Sequence, residues 1–316
     1  MATTFPARTG LALAIALAGC SAATDSTPVA DATTTSAPAP MTSGKPAQTA
    51  LTTAVFNPGE AAIFAVTSVL VSGAHDAVLI DAQFSAEQAQ KLAEQIKASG
   101  KRLTTIYISH GDPDYYFGLD TLHAAFPEAR IVATPQTIAH IEASKDEKLK
   151  VWGPQLGANA PKQLIVPAPL DGDHIDLEGQ PLQVIGLDGA TPERTFVWIP
   201  SIRTVAGGIP VQWGEHVWMA DTQTPKSHED WLATLESVRQ LQPGTVIPGH
   251  FVGEPPAGLA AVDFTAGYIR DFDEATAKAK DSAALIAEMK RRYPDLKGEG
   301  SLELSAKVAK GEMAWP

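Results

Sequence analysis

The chain has 316 residues, 44% of them apolar, with one cysteine and a formal net charge of −12 at pH 7. That length is enough to bury a sizeable core in one large or two small domains. The acidic balance, with no basic stripe to offset it, speaks against nucleic acid as a partner because phosphates would be repelled. The lone cysteine leaves no internal disulfide to form.

The chain opens with Arg8 as a positive flank, a short apolar segment over 11–18, and Leu17-Ala18-Gly19-Cys20. This is the pattern of a secretion signal over 1–20, too short to span a bilayer as a stable helix. Its last four residues resemble the bacterial lipobox, which implies cleavage before Cys20 and lipid attachment to its thiol. Acyl chains on Cys20 would hold the protein at a membrane surface, the only membrane contact expected. Ser21 rather than an aspartate follows, which by resemblance to enteric lipoprotein sorting favours the outer membrane and places the protein on the periplasmic face of the envelope. Residues 21–50 are rich in Ala, Ser, Thr and Pro without apolar periodicity and read as a disordered tether.

From residue 51 the pattern is that of a folded domain. Residues 64–71 and 77–80 read as strands joined by a turn at Ser72-Gly73, the second ending in Asp81. Ser85-Ala86-Glu87-Gln88 has the form of a capping box and opens an amphipathic helix through Ile96, closed by Gly100. A continuous apolar strand covers 103–108, a helix 117–126, a short strand 131–133, and Pro135 begins another helix that gives way to a loop over 152–161. Strands follow at 163–166, 174–177, 182–187, 195–199, 203–206 and 216–219. A helix capped by Ser227-His228-Glu229-Asp230 carries the stripe Trp231, Leu232, Leu235, Val238 and Leu241, and the strand 245–247 leads into Pro248-Gly249-His250. A further helix covers 283–292, and 302–315 carries Leu304, Val308, Met313 and Trp315 as packing residues. Parallel-type units in the first half and antiparallel strands in the second fit an α/β (α+β) fold, two sheets sandwiched between helices in four layers, αββα. The domain spans 51–275, with 276–316 as a helical extension packed on it.

The chemistry concentrates in Ser109-His110-Gly111-Asp112-Pro113-Asp114-Tyr115-Tyr116-Phe117-Gly118, directly after the strand 103–108. An imidazole and two carboxylates at alternate positions past a strand can face one cavity and point at one metal ion. Asp-Pro-Asp is equally good turn chemistry, with Asp114 free to cap the next helix. Of the other histidines, His123, His140, His174, His216 and His228 lack partners at ligand spacing, and His216 is the one placed to rim a cavity. Trp198, Trp213, Trp218 and Trp231 read as packing.

In order and spacing these landmarks resemble the metallo-β-lactamase fold over roughly 51–252. Asp81 resembles the aspartate ending an early strand in that family, 109–115 its T-H-x-H-x-D-H hallmark, 197–208 its hairpin ending in Gly-Asp, and 246–250 its closing V-I-P-G-H. The match is incomplete. Asp112 and Tyr115 replace histidines, Ala190 in Gly189-Ala190-Thr191-Pro192 stands where a ligand histidine belongs, and Gly208 replaces the bridging aspartate. The standard dinuclear zinc site therefore cannot be assembled as the family builds it. The resemblance implies a variant, mononuclear site in which His110, Asp112, Asp114 and His250 hold a divalent metal, with Asp188 and Asp221 as substitutes for the lost ligands. Mixed imidazole and carboxylate donors without sulfur suit zinc, iron or manganese. Asp114 would orient a metal-bound water, and Tyr115 or Tyr116 would donate to the developing oxyanion. Asp81 orients the motif loop by hydrogen bonding.

The expected function is a metal-dependent hydrolase acting on a small ester, lactone or amide. The alternative is a non-catalytic relative that has lost its metal and binds a ligand or partner at the envelope.

Overall fold

A register shift in one strand fixes which face of the first sheet each residue serves. In the computed structural model, which describes residues 49–315, the sheet holding the motif strand runs β1 (Thr52–Phe56), β2 (Ser68–Ser72), β3 (Asp76–Ile80), β4 (Arg102–Ile108), β5 (Arg130–Ala133) and β6 (Ala168–Pro169), in that spatial order. β3 pairs with β4 as Ala77↔Leu103 and then Val78↔Thr105. The extra residue lets Leu103, Ile106 and Ile108 share one apolar cluster while Tyr107 enters another.

The second sheet comprises β7 (His174–Leu177), β8 (Gln180–Ile185), β9 (Phe196–Ile199), β10 (Thr204–Ala206) and, beyond the two-residue β11 (Gln212–Trp213), β12 (Thr245–Val246). Its order is β12-β10-β9-β8-β7, and β11 pairs separately with β13 (His250–Phe251). Three apolar layers hold the sandwich together. Between the sheets, Val69, Val71, Val78, Ile80 and Tyr107 meet Leu182, Val184, Val197, Ile199 and Ala206. The outer face of the first sheet, through Leu70, Leu79 and Ile106, packs on α1 (Ala86–Ala98), α2 (Pro113–Tyr116), α3 (Leu119–Ala125) and α4 (Pro135–Leu156). The outer face of the second, through Phe196, Trp198 and Val205, packs on α5 (Pro225–Gln240), α6 (Ala260–Lys278), α7 (Ser282–Arg292) and α8 (Glu299–Ala309). Side chains alternating across each strand supply both faces, and the expected αββα order is what forms.

Glu178 ties the two sheets at one end. It accepts from the backbone N–H groups of Ala74, His75 and Asp76 at 2.7, 2.6 and 2.8 Å. These three bonds favour the carboxylate and bring its pKa down to about 2.

Several segments differ from expectation for identifiable reasons. Residues 216–219 form no strand, because their N–H groups go elsewhere: His216 donates to the Lys297 carbonyl, Trp218 to the Gln212 side chain and Met219 to Ser305 Oγ. Residues 64–67 lie outside β2, since Val66 bridges to His250 and Thr67 N–H donates to the Gly249 carbonyl. Residues 163–166 are also irregular, and the strand there is β6. α4 runs on through Pro154, its last turn held by Trp152 and Leu156 in the apolar cluster. The expected helix 117–126 is interrupted at Gly118, whose N–H donates to the Gln83 carbonyl, and a Cβ there would meet the Ala82 carbonyl oxygen at 2.0 Å. Thr224, not Ser227, is the N-cap of α5, with Ser227 completing the box from the third position. β1 and α6 were not anticipated. The signal segment, Cys20 and the tether up to residue 48 lie outside the described residues.

α8 shares the second sheet's core, with Leu302 and Ala306 fully buried. Leu302→Ala is expected to cost about 2–5 kcal/mol, in line with other large-to-small core changes. In urea it should unfold 49–315 in one transition, rather than releasing the C-terminal helices first.

Candidate functional site

The motif loop is held from below by a buried carboxylate. Asp81 sits at φ 65 at the end of β3, a conformation aspartate tolerates better than most residues. Its oxygens accept from Ser109 N–H at 2.8 Å, from Ser109 Oγ at 2.7 and 2.9 Å, and from Gly208 N–H at 3.4 Å. Burial pushes its pKa up to about 7 against the pull of those donors. Two further bonds, Ala82 N–H to the Tyr115 carbonyl and Gly118 N–H to the Gln83 carbonyl, both 2.8 Å, pin the loop's far side. The loop thus ties the ends of β3 and β4 to the second sheet at Gly208.

Pro113 opens α2, and Asp112 is its N-cap, yet the Asp112 side chain makes no capping bond. Its oxygens are taken by two other side chains: Oδ2 lies 3.1 Å from His110 Nε2, and Oδ1 3.3 Å from Lys148 Nζ. Lys148 comes from α4, where Thr137, Ile141, Lys148, Trp152 and Leu156 form the buried stripe. Its ammonium also lies 3.6 Å from Asp221 Oδ1 and 5.2 Å from the centre of the Trp315 ring. The indole N–H of Trp315 donates to Asp221 Oδ1 at 2.7 Å, and that of Trp218 donates to Asp221 Oδ2. Asp221 is therefore brought to the site, although no strand precedes it.

Asp114 and His250 form a second pair, Oδ2 to Nε2 at 2.9 Å. His250 is placed by β13, which pairs with β11 in the register Gln212↔His250, and by the bridge to Val66. Its Nδ1 faces Glu215 Oε1 at 3.5 Å. The result is a buried carboxylate–imidazole–carboxylate row.

Electrostatics follow from these contacts. Burial opposes the charge on Asp112, but His110, Lys148 and Arg194 outweigh it and hold the carboxyl well below the usual range. Burial and the neighbouring Asp112 push Asp221 up, against the pull of Lys148 and Arg194. Burial likewise opposes the Lys148 ammonium, and Asp112 and Asp221 overcome it, raising its pKa. For His250, desolvation is outweighed by Asp114 and Glu215, so its pKa rises. Glu215 is pushed up to about 7, chiefly by burial.

Asp112, Asp114, Lys148, Glu215, Asp221 and His250 face one cavity of about 70 Å³. Phe64, Trp152, Ile209, Trp218 and Trp315 supply apolar and aromatic walls, and the buried His216 also lines it. Trp315 lies 6.4 Å from Trp152 and 5.5 Å from Trp218, ring centre to ring centre.

Two expected participants are elsewhere. Asp188 is exposed in the turn after β8 and does not line the cavity, because Gly186 and the 186–189 turn carry the chain outward. Tyr115 is fully buried and stands edge-on between His110 and His250, ring centres 5.3 and 5.7 Å away, with no partner for its hydroxyl among the described residues. It spaces the two imidazoles and does not reach the cavity to donate to an oxyanion.

The sequence profile of the metallo-beta-lactamase superfamily matches residues 62–250. The chain belongs to that superfamily. Solved structures share its fold. A metallo-beta-lactamase family protein from Thermus thermophilus superposes with a TM-score of 0.58 at 15% identity, covering 82% of this chain and 91% of that one. A metallo-beta-lactamase from Pontibacter korlensis gives 0.50 at 19% identity, covering 72% and 97%. No curated protein matches.

Superfamily members usually bind divalent metals such as zinc, and the site residues can be tested against that chemistry. Among the described residues, no three His, Asp or Glu side chains are grouped to hold a metal ion. The expected set of His110, Asp112, Asp114 and His250 falls instead into two carboxylate–imidazole pairs, and Asp112 is already engaged by Lys148. Ala190 is exposed in its turn, and Gly208 adopts φ 80 with its missing Cβ directed at the Thr195 carbonyl oxygen, 2.1 Å away. The donors as arranged do not fit a divalent ion, which corrects the ligand set expected from sequence.

Lys148, Glu215, Arg194 and Trp315 were not singled out from sequence as site residues. Lys148 lies in the run Lys145-Asp146-Glu147-Lys148, which reads as a solvated face. The available signal was its place on the stripe with Ile141 and Trp152. Arg194 is buried against Trp231 and bridges to the His110 backbone. Glu215 carries no such pattern.

Two outcomes are expected. Gly208→Asp should destabilise the fold, measured by thermal unfolding, and create no metal site, because any Cβ there collides with backbone. His216, bonded through Nδ1 to Tyr268 Oη at 2.9 Å, is lowered from 6.5 to about 4, mainly by burial. Between those pH values the unfolded chain binds a proton the folded chain refuses, so stability rises with pH across that window and is lost as pH falls. His216→Gln should flatten that slope in urea titrations.

Proposed function

We propose that this chain is a hydrolase of small acyl compounds, an ester, lactone or amide, in which Asp114 activates the attacking water. One observation carries the reading: Asp114, His250, Glu215 and Lys148 all face a single small cavity with aromatic walls. Concave pockets that combine aromatic walls with convergent polar groups are where small molecules bind.

In the proposed reaction, the water oxygen bonds to the acyl carbon while Asp114 takes its proton. His250, backed by Glu215, keeps the Asp114 carboxylate aimed. Negative charge moves onto the carbonyl oxygen, and Lys148 offers the nearest permanent positive charge. Collapse breaks the bond to the alkoxide or amine, which leaves with the proton held by Asp114.

A ligand-binding relative without turnover is the second reading. It is favoured by the internal pairing of the charged groups at the cavity, each of which already has a partner. We also propose that the lipidated Cys20 anchors the protein at the envelope, where small solutes reach it.

Asp114→Asn should keep the circular-dichroism spectrum of the parent and lower kcat/KM about 10²–10⁴-fold against a panel of small aryl esters, lactones and anilides. Saturable binding of those compounds by the parent with no turnover would favour the second reading.

A further inference from the structure

We propose that the Lys148 ammonium is the resident cation of this pocket and takes the place that a divalent metal holds in relatives. This inference concerns the same cavity but does not depend on hydrolysis being its reaction.

Lys148 is 4% exposed, on the buried stripe of α4 where an apolar residue would ordinarily stand. A buried lysine is tolerated only when paired. Its Nζ lies between two carboxylates, 3.3 Å from Asp112 and 3.6 Å from Asp221. Those are the residue replacing the family's second histidine and the acid that the sequence offers as a substitute for its missing bridge.

The remaining oxygens of both acids are occupied by groups that suit an ammonium neighbour. His110 holds the second oxygen of Asp112, and the indoles of Trp218 and Trp315 hold Asp221. The face of Trp315 adds an attraction specific to a compact organic cation. Both separations lie within the reach of an ammonium–carboxylate ion pair, about 4 Å, so the two acids are already committed to one cation. A divalent ion entering between Asp112 and Asp221 would have to expel Lys148 into apolar surroundings or share the space with it. Ala190 and Gly208, lacking ligand atoms where the family places them, leave nothing to outcompete the lysine.

The test measures metal content and thermal unfolding of the full chain incubated with excess Zn²⁺, Mn²⁺ or Fe²⁺, desalted, and compared with and without EDTA. The parent should retain no stoichiometric metal and show the same Tm in every condition. Lys148→Met should lose roughly 5–15 °C in Tm, because Asp112 is left buried without its ammonium. That variant should regain part of the loss with Zn²⁺, the two carboxylates then sharing an external cation. Lys148→Arg should stay close to the parent and metal-free, separating charge from packing. Stoichiometric metal in the parent that disappears in His250→Ala would overturn the proposal. So would a Lys148→Met protein as stable as the parent, or one indifferent to every ion. If Lys148→Met is recovered only unfolded, the metal content of the parent and of Lys148→Arg decides. Because none of these readouts involves turnover, an inactive parent would bear on the hydrolase reading alone.

Discussion

A single ammonium group, drawn out of water and held between Asp112 and Asp221, organises the pocket. Taking a lysine into a protein interior is costly, and breaking such a buried pair typically costs about 3–5 kcal/mol. That cost explains the surroundings of Lys148. Asp112 forgoes its helix-capping bond to face it, two indoles orient Asp221 beside it, and His110 closes the other side of Asp112. The arrangement is a network in which each charge is the reason the next one is tolerated.

The sandwich delivers these groups from separate parts of the chain. His110, Asp112 and Asp114 follow β4, Lys148 comes from α4, Asp221 and Glu215 from segments after β11, and His250 from β13. Asp81 lies under the motif loop at Ser109 and reaches across to Gly208, just past β10. The layers between and outside the sheets are apolar, so polar groups at the strand ends have few places to go except toward one another. Strand ends are where an open α/β sheet collects its chemistry, and this chain follows that rule with an altered set of side chains.

Most of the architecture was legible because alternation and capping are local signals. β3, β4, the Ser85-capped helix and the closing strand before His250 could be placed from pattern alone, and their order carried the fold. What escaped were segments whose backbone is satisfied by distant partners. Residues 216–219 look like a strand but bond to Lys297, Gln212 and Ser305, and no local pattern reveals that. At the site, His110, Asp112 and Asp114 were visible from spacing and His250 from the family resemblance, but their pairing was not. The decisive residue, Lys148, sits in a charged run whose composition points outward while its helical phase points inward. Asp188 illustrates the opposite error: a plausible donor two residues from a lost ligand, carried away from the cavity by the glycines of its own turn.

The three indoles of Trp152, Trp218 and Trp315 enclose the charged groups, and two of them hydrogen-bond the same carboxylate. Indole emission is sensitive to nearby charge and to water, so the pocket contains its own optical reporter. Anything that enters it, or changes the ionisation of Asp221, will register in the native fluorescence without a label being attached.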